Sequence, residues 1–215
     1  MSGTSDVRKS LVGFPANFIV AGRRCVVVGG GRIAARKLTP LLDAGADVVV
    51  IAPAVVEEIR LAHEAGRVVW HKRPFVATDL DDVWLAITAT ADPAVDQAVF
   101  TAGEHRRVWV NSADDPANCS FTLMSVARQG DIVVTIGTNG RSPALATFLR
   151  NHVAQEMGPE YGTLLELLSE AREAIRTAGR SSEDADWRRA FDSGIVDLVR
   201  TGREAEAREL LRACL

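Results

Sequence analysis

The sequence predicts an α/β fold in which a doubly wound parallel sheet is followed by a small α+β domain and a helical C-terminal domain. Between about Phe18 and Asn111, short β-rich runs alternate with stretches of helical spacing. Parallel strands need this alternation because each parallel pair requires a crossover. A glycine-rich loop joins the first strand to the first helix, and beyond about Pro159 only helical spacing remains.

The first region should contain five strands and three helices. β-rich runs predict the strands, at Arg24–Val28, Asp47–Ile51, Arg67–Trp70, Val83–Thr88 and Val108–Asn111. Apolar residues at helical spacing predict the helices between them, at Ile33–Asp43, Val55–Ala65 and Pro93–Gly103.

After Ser112 the pattern changes. Phe121–Arg128 and Ile132–Thr138 flank Gln129-Gly130-Asp131, which predicts a hairpin, and Ser142-Pro143 suits the N-cap and first position of a helix. Two apolar stripes then predict C-terminal helices: Leu164, Leu165, Leu168, Ala171 and Ile175, and then Phe191, Ile195, Leu198 and Val199. The patterns divide the chain into three regions, an α/β region (1–112), a hairpin and helix (113–150) and a helical region (151–215).

Composition excludes several classes of partner. The net charge of -3 over 215 residues gives no general attraction to nucleic acid, and no apolar run approaches the ~20 residues of a membrane span. The segment 1–12 lacks a hydrophobic signal core, and three widely spaced cysteines suit a reducing compartment. The four histidines show no metal-ligand spacing. We therefore expect a cytoplasmic protein without a metal site.

The loop Gly29-Gly30-Gly31-Arg32-Ile33-Ala34 matches the dinucleotide fingerprint G-x-G-x-x-A of Rossmann-like folds. Gly29 should allow the turn from strand to helix, Gly31 the approach of a pyrophosphate, and Ala34 close packing of helix on strand. The second strand ends in Ile51-Ala52-Pro53 rather than in an acid. The pattern therefore leaves the choice between NAD and NADP open.

Several motifs in order resemble one family. They are Gly29–Lys37, Leu41–Ala46, Ile51–Pro53, Trp84–Thr90, Val110–Asp114, Ser120-Phe121 and Gly140–Ala146. In these motifs the chain resembles the precorrin-2 dehydrogenase/sirohydrochlorin ferrochelatase family, which forms the amino-terminal half of bifunctional siroheme synthases. The resemblance covers residues 14–150 closely and the helical tail loosely. It implies that 1–112 is an NAD-binding Rossmann-like domain, 113–150 a dimerisation and substrate domain, and 151–215 a helical C-terminal domain.

The resemblance implies NAD-dependent oxidation of precorrin-2, a carboxylate-rich tetrapyrrole, to sirohydrochlorin, carried out by a homodimer. It leaves open whether the protein also inserts ferrous iron. The cofactor-binding residues that it implies are Gly29, Gly30, Gly31, Arg32, Ile33, Pro53, Ala54 and Thr90.

The resemblance also places the catalytic base at Asp114, which follows the last strand of the nucleotide-binding domain. Asp115 is its neighbour and the alternative candidate. The helix start at Thr138, Asn139, Gly140, Arg141 and Ser142 is the expected cradle for substrate carboxylates, since free N–H groups and an arginine favour anions.

One alternative is a nucleotide-sensing module without catalysis, because fold alone does not imply chemistry. A short-chain reductase is excluded: it needs Tyr and Lys four positions apart on a helix, but Tyr161 is the only tyrosine and Leu165 stands four positions later.

Overall fold

The computed structural model describes residues 13–113 and 115–215. It divides between Leu123 and Met124 into two compact units. Unit 1 contains the five-stranded sheet, and unit 2 contains a hairpin and five helices. The predicted boundaries at residues 112 and 150 remain a prediction.

In unit 1, strands and helices alternate. The strands are β1 (Arg24–Val28), β2 (Asp47–Ile51), β3 (Val68–His71), β4 (Leu85–Thr88) and β5 (Trp109–Ser112). The helices are α1 (Arg32–Asp43), α2 (Glu57–Glu64) and α3 (Pro93–Arg106). All neighbouring strands are parallel, in the order β3-β2-β1-β4-β5. The predicted α/β class is confirmed.

The sheet carries a core on each face. On one face Leu38 of α1 and Ile59 of α2 pack against Val27 and its neighbours. On the other face Val99 of α3 packs against Val26. The chain reverses its direction of travel across the sheet between β1 and β4, so the crevice outside their carboxyl ends is where such sheets bind ligands.

The segment after β5 returns along the free edge of that strand. The backbone N–H of Val110 donates to Ser120 Oγ at 2.7 Å, and the Ser120 N–H donates to the carbonyl of Val110 at 2.8 Å. Asn111 Nδ2 donates to the carbonyl of Phe121 at 3.0 Å. Phe121 therefore belongs to this return segment, and the predicted strand Phe121–Arg128 is four residues too long at its start.

Unit 2 begins with the antiparallel hairpin of β6 (Ser125–Gln129) and β7 (Ile132–Ile136), against which α4 (Pro143–Glu156) packs. The helices α5 (Glu160–Thr177), α6 (Trp187–Asp192), α7 (Ile195–Arg200) and α8 (Glu204–Cys214) bury a separate core. Two residues of the first predicted stripe, Leu164 and Ile175, are buried, whereas Leu165, Leu168 and Ala171 are only partly buried. Leu167, which the predicted stripe omitted, is buried as well.

Candidate dinucleotide and substrate site

The glycine loop makes its sharpest turn at Gly29, directly after β1. Its φ of +123° lies in the region that favours glycine, and its N–H donates to the carbonyl of Ile51 at 2.9 Å. A Cβ on Gly29 would lie 2.3 Å from the carbonyl oxygen of Ala89, which follows β4. The loop is therefore closed against the end of β4, and only a residue without a side chain fits there.

Gly30 faces the end of β2 in the same way. A Cβ on Gly30 would lie 1.9 Å from the carbonyl oxygen of Ala54, and the Gly30 carbonyl accepts the N–H of Val56 at 2.8 Å. These contacts bring the glycine loop together with Pro53-Ala54 and, through Ala89, with the segment that contains Thr90. The implied cofactor-binding residues thus lie on three loops at the carboxyl ends of β1, β2 and β4.

Gly31 differs from Gly29 and Gly30 because a Cβ there would meet no atom within 4 Å. It is the N-cap of α1, with φ −83° and no side-chain hydrogen bond, and the first turn of α1 contains no acidic residue. Free N–H groups at a helix N-terminus attract anions. Open space above this helix start fits the pyrophosphate of a dinucleotide. Arg32 and Ile33, the next two residues, are both exposed.

Thr90 lies two residues beyond the end of β4, and its hydroxyl forms hydrogen bonds within the protein. Its Oγ1 donates to Asp96 Oδ1 at 2.8 Å and accepts the N–H of Asp92 at 3.1 Å. Any contact of Thr90 with a cofactor would therefore use its backbone or its methyl group.

The end of β5 carries buried polar residues. Ser112 is 4% exposed, and within 13–113 and 115–215 its Oγ has no hydrogen-bond partner. Ser112 is the register partner of Thr88, so the two lie side by side on neighbouring strands. Burial raises the pKa of the Cys119 thiol, and the Ser112 N–H that Sγ accepts offsets this only in part. The Cys119 thiol also donates to the carbonyls of Ser112 and Asp115, each at 3.3 Å, and so holds the turn after β5 together.

Asp114, the predicted base, lies outside the described residues. Its rival Asp115 caps a short 3-10 helix (Pro116–Asn118): Oδ1 accepts the N–H of Ala117 at 3.1 Å, and Oδ2 accepts Asn118 Nδ2 at 2.8 Å. Both carboxylate oxygens of Asp115 are therefore used to hold the turn.

In unit 2 the predicted carboxylate cradle is a tight turn before α4. Thr138 Oγ1 accepts the Ser142 N–H and donates to the Ser142 carbonyl, each at 3.1 Å, and Ser142 Oγ accepts the Leu145 N–H at 3.1 Å. Asn139 and Gly140 both have positive φ. The side chains of Thr138 and Ser142 hold the turn, whereas Arg141 is exposed and forms no ion pair within the described ranges.

Sequence reasoning missed Asp96 and Ser112, two buried polar residues beside the predicted site. The alternation of Thr88 and Thr90 at a strand end was a possible signal, since both hydroxyls meet one carboxylate. Across the described part of the chain, no three His, Cys, Asp or Glu side chains form a metal-binding group. No helix there is long and apolar enough to span a bilayer.

Comparisons with known proteins agree with this geometry. Residues 17–125, just over half of the chain, match a family model described as "Putative NAD(P)-binding". The siroheme synthase of Photorhabdus laumondii is 32% identical over 192 residues, which are 88% of this chain and 41% of that protein. Siroheme synthase 1 of Pectobacterium atrosepticum is 35% identical over 187 residues, 86% of this chain and 39% of that protein. The chain thus spans well under half the length of these curated relatives.

One solved structure matches over almost its whole length. SirC, a precorrin-2 dehydrogenase, aligns with a TM-score of 0.75 and 25% sequence identity, covering 94% of this chain and 98% of that chain.

Proposed function

Because the chain belongs to the NAD(P)-binding family whose model its residues 17–125 match, we propose that it is an NAD-dependent dehydrogenase. Its reaction is the oxidation of precorrin-2 to sirohydrochlorin in siroheme biosynthesis. The observation that carries the proposal is the open helix start at Gly31, which follows two glycines that are packed closely against neighbouring loops. The likeness to SirC over nearly the whole chain supports the choice of substrate.

The described residues fit a dinucleotide. Gly29–Ile33 would hold the pyrophosphate, and Pro53-Ala54 together with the Thr90 segment would bound it on either side. When bound, NAD supplies the acceptor for the hydride that leaves precorrin-2. β2 ends without an acid, and the Trp70 indole N–H donates to the Ala52 carbonyl at 2.9 Å. The end of β2 would therefore offer the ribose hydroxyls no carboxylate.

Asp114 is proposed as the group that takes the substrate's proton. Its support is the family motif Val110–Asp114, together with the engagement of both Asp115 oxygens in the turn. An Asp115 carboxylate that gave up these bonds to act as a base would release the cap of the following 3-10 helix.

The turn Thr138–Ser142 is proposed to bind substrate carboxylates through Arg141. An exposed guanidinium without an ion pair among the described residues is available for a bidentate contact with a carboxylate. The hydrogen bonds of Thr138 and Ser142 would keep the turn in one shape, so that ordering it costs little on binding.

A homodimer is proposed, with the hairpin as part of its interface. Val126 and Val133, which share one face of the hairpin, are 40% and 43% exposed, so this face leaves apolar side chains in water. A second copy would cover these residues. Sedimentation should give a dimer at micromolar concentration, and a monomer there would contradict this part of the proposal.

The reaction is assigned to the cytoplasm, where the free thiols of Cys25, Cys119 and Cys214 would stay reduced. The three-part division at residues 112 and 150 remains part of the same proposal.

The direct test is an anaerobic assay with enzymatically made precorrin-2 and NAD. We expect NADH absorbance to rise as sirohydrochlorin appears. Failure to exceed the rate of spontaneous oxidation would refute the function. Binding of NAD without turnover would instead favour the sensing module.

The same assay tests the base. Asp114→Asn should lower the rate about 100- to 10,000-fold, the usual worth of a general base. Asp115→Asn is the matched control, and its rate should stay near that of the parent. A large loss in Asp115→Asn alone would move the base by one residue.

With ferrous iron added as a second substrate, siroheme formation tests ferrochelation. If one base serves both reactions, Asp114→Asn should impair both.

A further inference from the structure

Asp96 is a buried carboxylate that no cation neutralises among the described residues. It lies in the first turn of α3 and is 7% exposed. Its Oδ1 accepts hydrogen bonds from Thr88 Oγ1 and, at 2.8 Å, from Thr90 Oγ1. No Lys, Arg or His forms an ion pair with it in the described part of the chain. Burying a carboxylate in this way is costly, and hydroxyl donors and the N-terminus of a helix offset the cost.

The two hydroxyls that Asp96 holds flank Ala89. The N–H of Ala89 donates to the carbonyl of Val28 at 2.8 Å, and its carbonyl oxygen is the atom that a Cβ on Gly29 would meet at 2.3 Å. Asp96 thus fixes both ends of the three-residue segment 88–90 that forms one wall of the glycine loop.

The chain leaves this segment through a strained residue. Ala91 has φ +61°, a conformation that L-residues with a Cβ disfavour, and the next residue returns its N–H to Thr90 Oγ1 at 3.1 Å. Without Asp96 the Thr90 hydroxyl would keep only the Asp92 carbonyl as an acceptor, at 3.1 Å, and segment 88–90 would lose its hydrogen bonds to α3.

From these contacts we propose that Asp96 is a positioning residue for dinucleotide binding. It holds segment 88–90 against Gly29 so that the glycine loop keeps the shape that admits a pyrophosphate. The proposal rests on the proposed function only in taking NAD as the ligand. Asp96 itself contacts neither cofactor nor substrate.

The test compares Asp96→Ala with Asp96→Asn in the full-length apoprotein. NAD is titrated by tryptophan fluorescence, and kcat and KM for NAD are measured beside it. We expect Asp96→Ala to raise Kd and KM roughly tenfold, with kcat changed by less than about threefold. Asp96→Asn should restore binding to within about threefold of the parent, because the amide oxygen still accepts both hydroxyls.

Asp79→Ala is the matched control for loss of a buried carboxylate. Asp79 is also buried, but it bonds to Arg73 and to the N–H of Val76, not to segment 88–90. It should lower Tm without changing the Kd for NAD. If Asp96→Ala does not fold, Thr88→Val removes one hydroxyl without changing side-chain shape, and it should still weaken NAD binding.

The outcomes separate this proposal from the proposed function. A parent protein that binds no NAD would refute the function itself. A parent that binds NAD, with Asp96→Ala or a folded Thr88→Val binding equally well, would overturn the positioning role alone. A loss in Asp96→Ala that Asp96→Asn does not reverse would also overturn it, because the geometry requires only an acceptor oxygen.

Discussion

Gly30 and Gly31 are neighbours in one loop, yet alanine should lower the stability of the fold at Gly30 and weaken cofactor binding at Gly31. At Gly31 a Cβ meets no atom within 4 Å and φ is −83°, which any residue adopts. Alanine there gains about 0.4–1 kcal/mol from a less flexible unfolded chain and loses roughly 0.5–1 kcal/mol as a poorer N-cap. The free energy of unfolding of Gly31→Ala should therefore stay within about 0.5 kcal/mol of the parent.

Alanine at Gly30 would place Cβ 1.9 Å from the Ala54 carbonyl oxygen, closer than real contacts allow. The backbone must move, and the hydrogen bond from the Val56 N–H to the Gly30 carbonyl would weaken. Overpacking costs about 1–3 kcal/mol and a lost hydrogen bond about 1 kcal/mol. Gly30→Ala should therefore lower the free energy of unfolding by about 2 kcal/mol or more.

Cofactor binding completes the contrast. The pyrophosphate would approach through the space above Gly31. The methyl group of the alanine in Gly31→Ala should therefore raise the Kd for NAD at least about tenfold, although the fold is intact. Urea unfolding of the apoprotein, followed through its four tryptophans, gives the stabilities, and NAD titration gives the affinities. A stable Gly31→Ala that binds NAD like the parent would refute the placement of the pyrophosphate. A Gly30→Ala as stable as the parent would refute the packing argument.

Two further predictions concern buried groups of the sheet. Burial, and then the charge of Asp47, raise the pKa of Cys25 to about 11. Because the folded protein disfavours the thiolate, the contribution of Cys25 to the free energy of unfolding is fully present below about pH 9 and should fall by roughly 1.4 kcal/mol per pH unit from there to about pH 11. Urea unfolding at a series of alkaline pH values should show a shallower fall in Cys25→Ala. An equal fall in both proteins would contradict the assignment. Ser112→Ala removes a buried hydroxyl that has no partner among the described residues, and it should stabilise the apoprotein by about 1 kcal/mol. A clearly lower Tm in a thermal scan would mean that the hydroxyl forms a hydrogen bond.

The central strands β1 and β4 were predictable because they are buried on both faces. Val26, Val27 and Val28 are all buried, so the strand appears in the sequence as a continuous apolar run. The predicted β1 and β2 agree with the structure at both ends. The start of the hairpin was not predictable in this way. Phe121 is a residue type that is common in strands, but its carbonyl accepts a hydrogen bond from the side chain of Asn111, ten residues earlier.

The candidate site was predictable where a local pattern carries the chemistry. The glycine loop is such a pattern, and its close contacts agree with the spacing. Asp96 and Ser112 were missed because their importance depends on neighbours in space: Asp96 meets Thr88 eight positions away, and Ser112 lies beside Thr88 only through strand register. Likewise, the role of Asp115 as a cap depends on a three-residue helix that no periodicity reveals.

The return of the chain along β5 has a consequence for aggregation. A strand at the edge of a sheet normally offers a row of free N–H and C=O groups, to which another molecule can add a strand. In this protein the outward N–H and carbonyl of Val110 already form hydrogen bonds with Ser120, and the Asn111 side chain donates to the carbonyl of Phe121. Two residues of the same chain, Ser120 and Phe121, thus cover this edge of the sheet. Ser120 therefore acts as a gatekeeper against intermolecular β-pairing at β5, even though it lies in no strand.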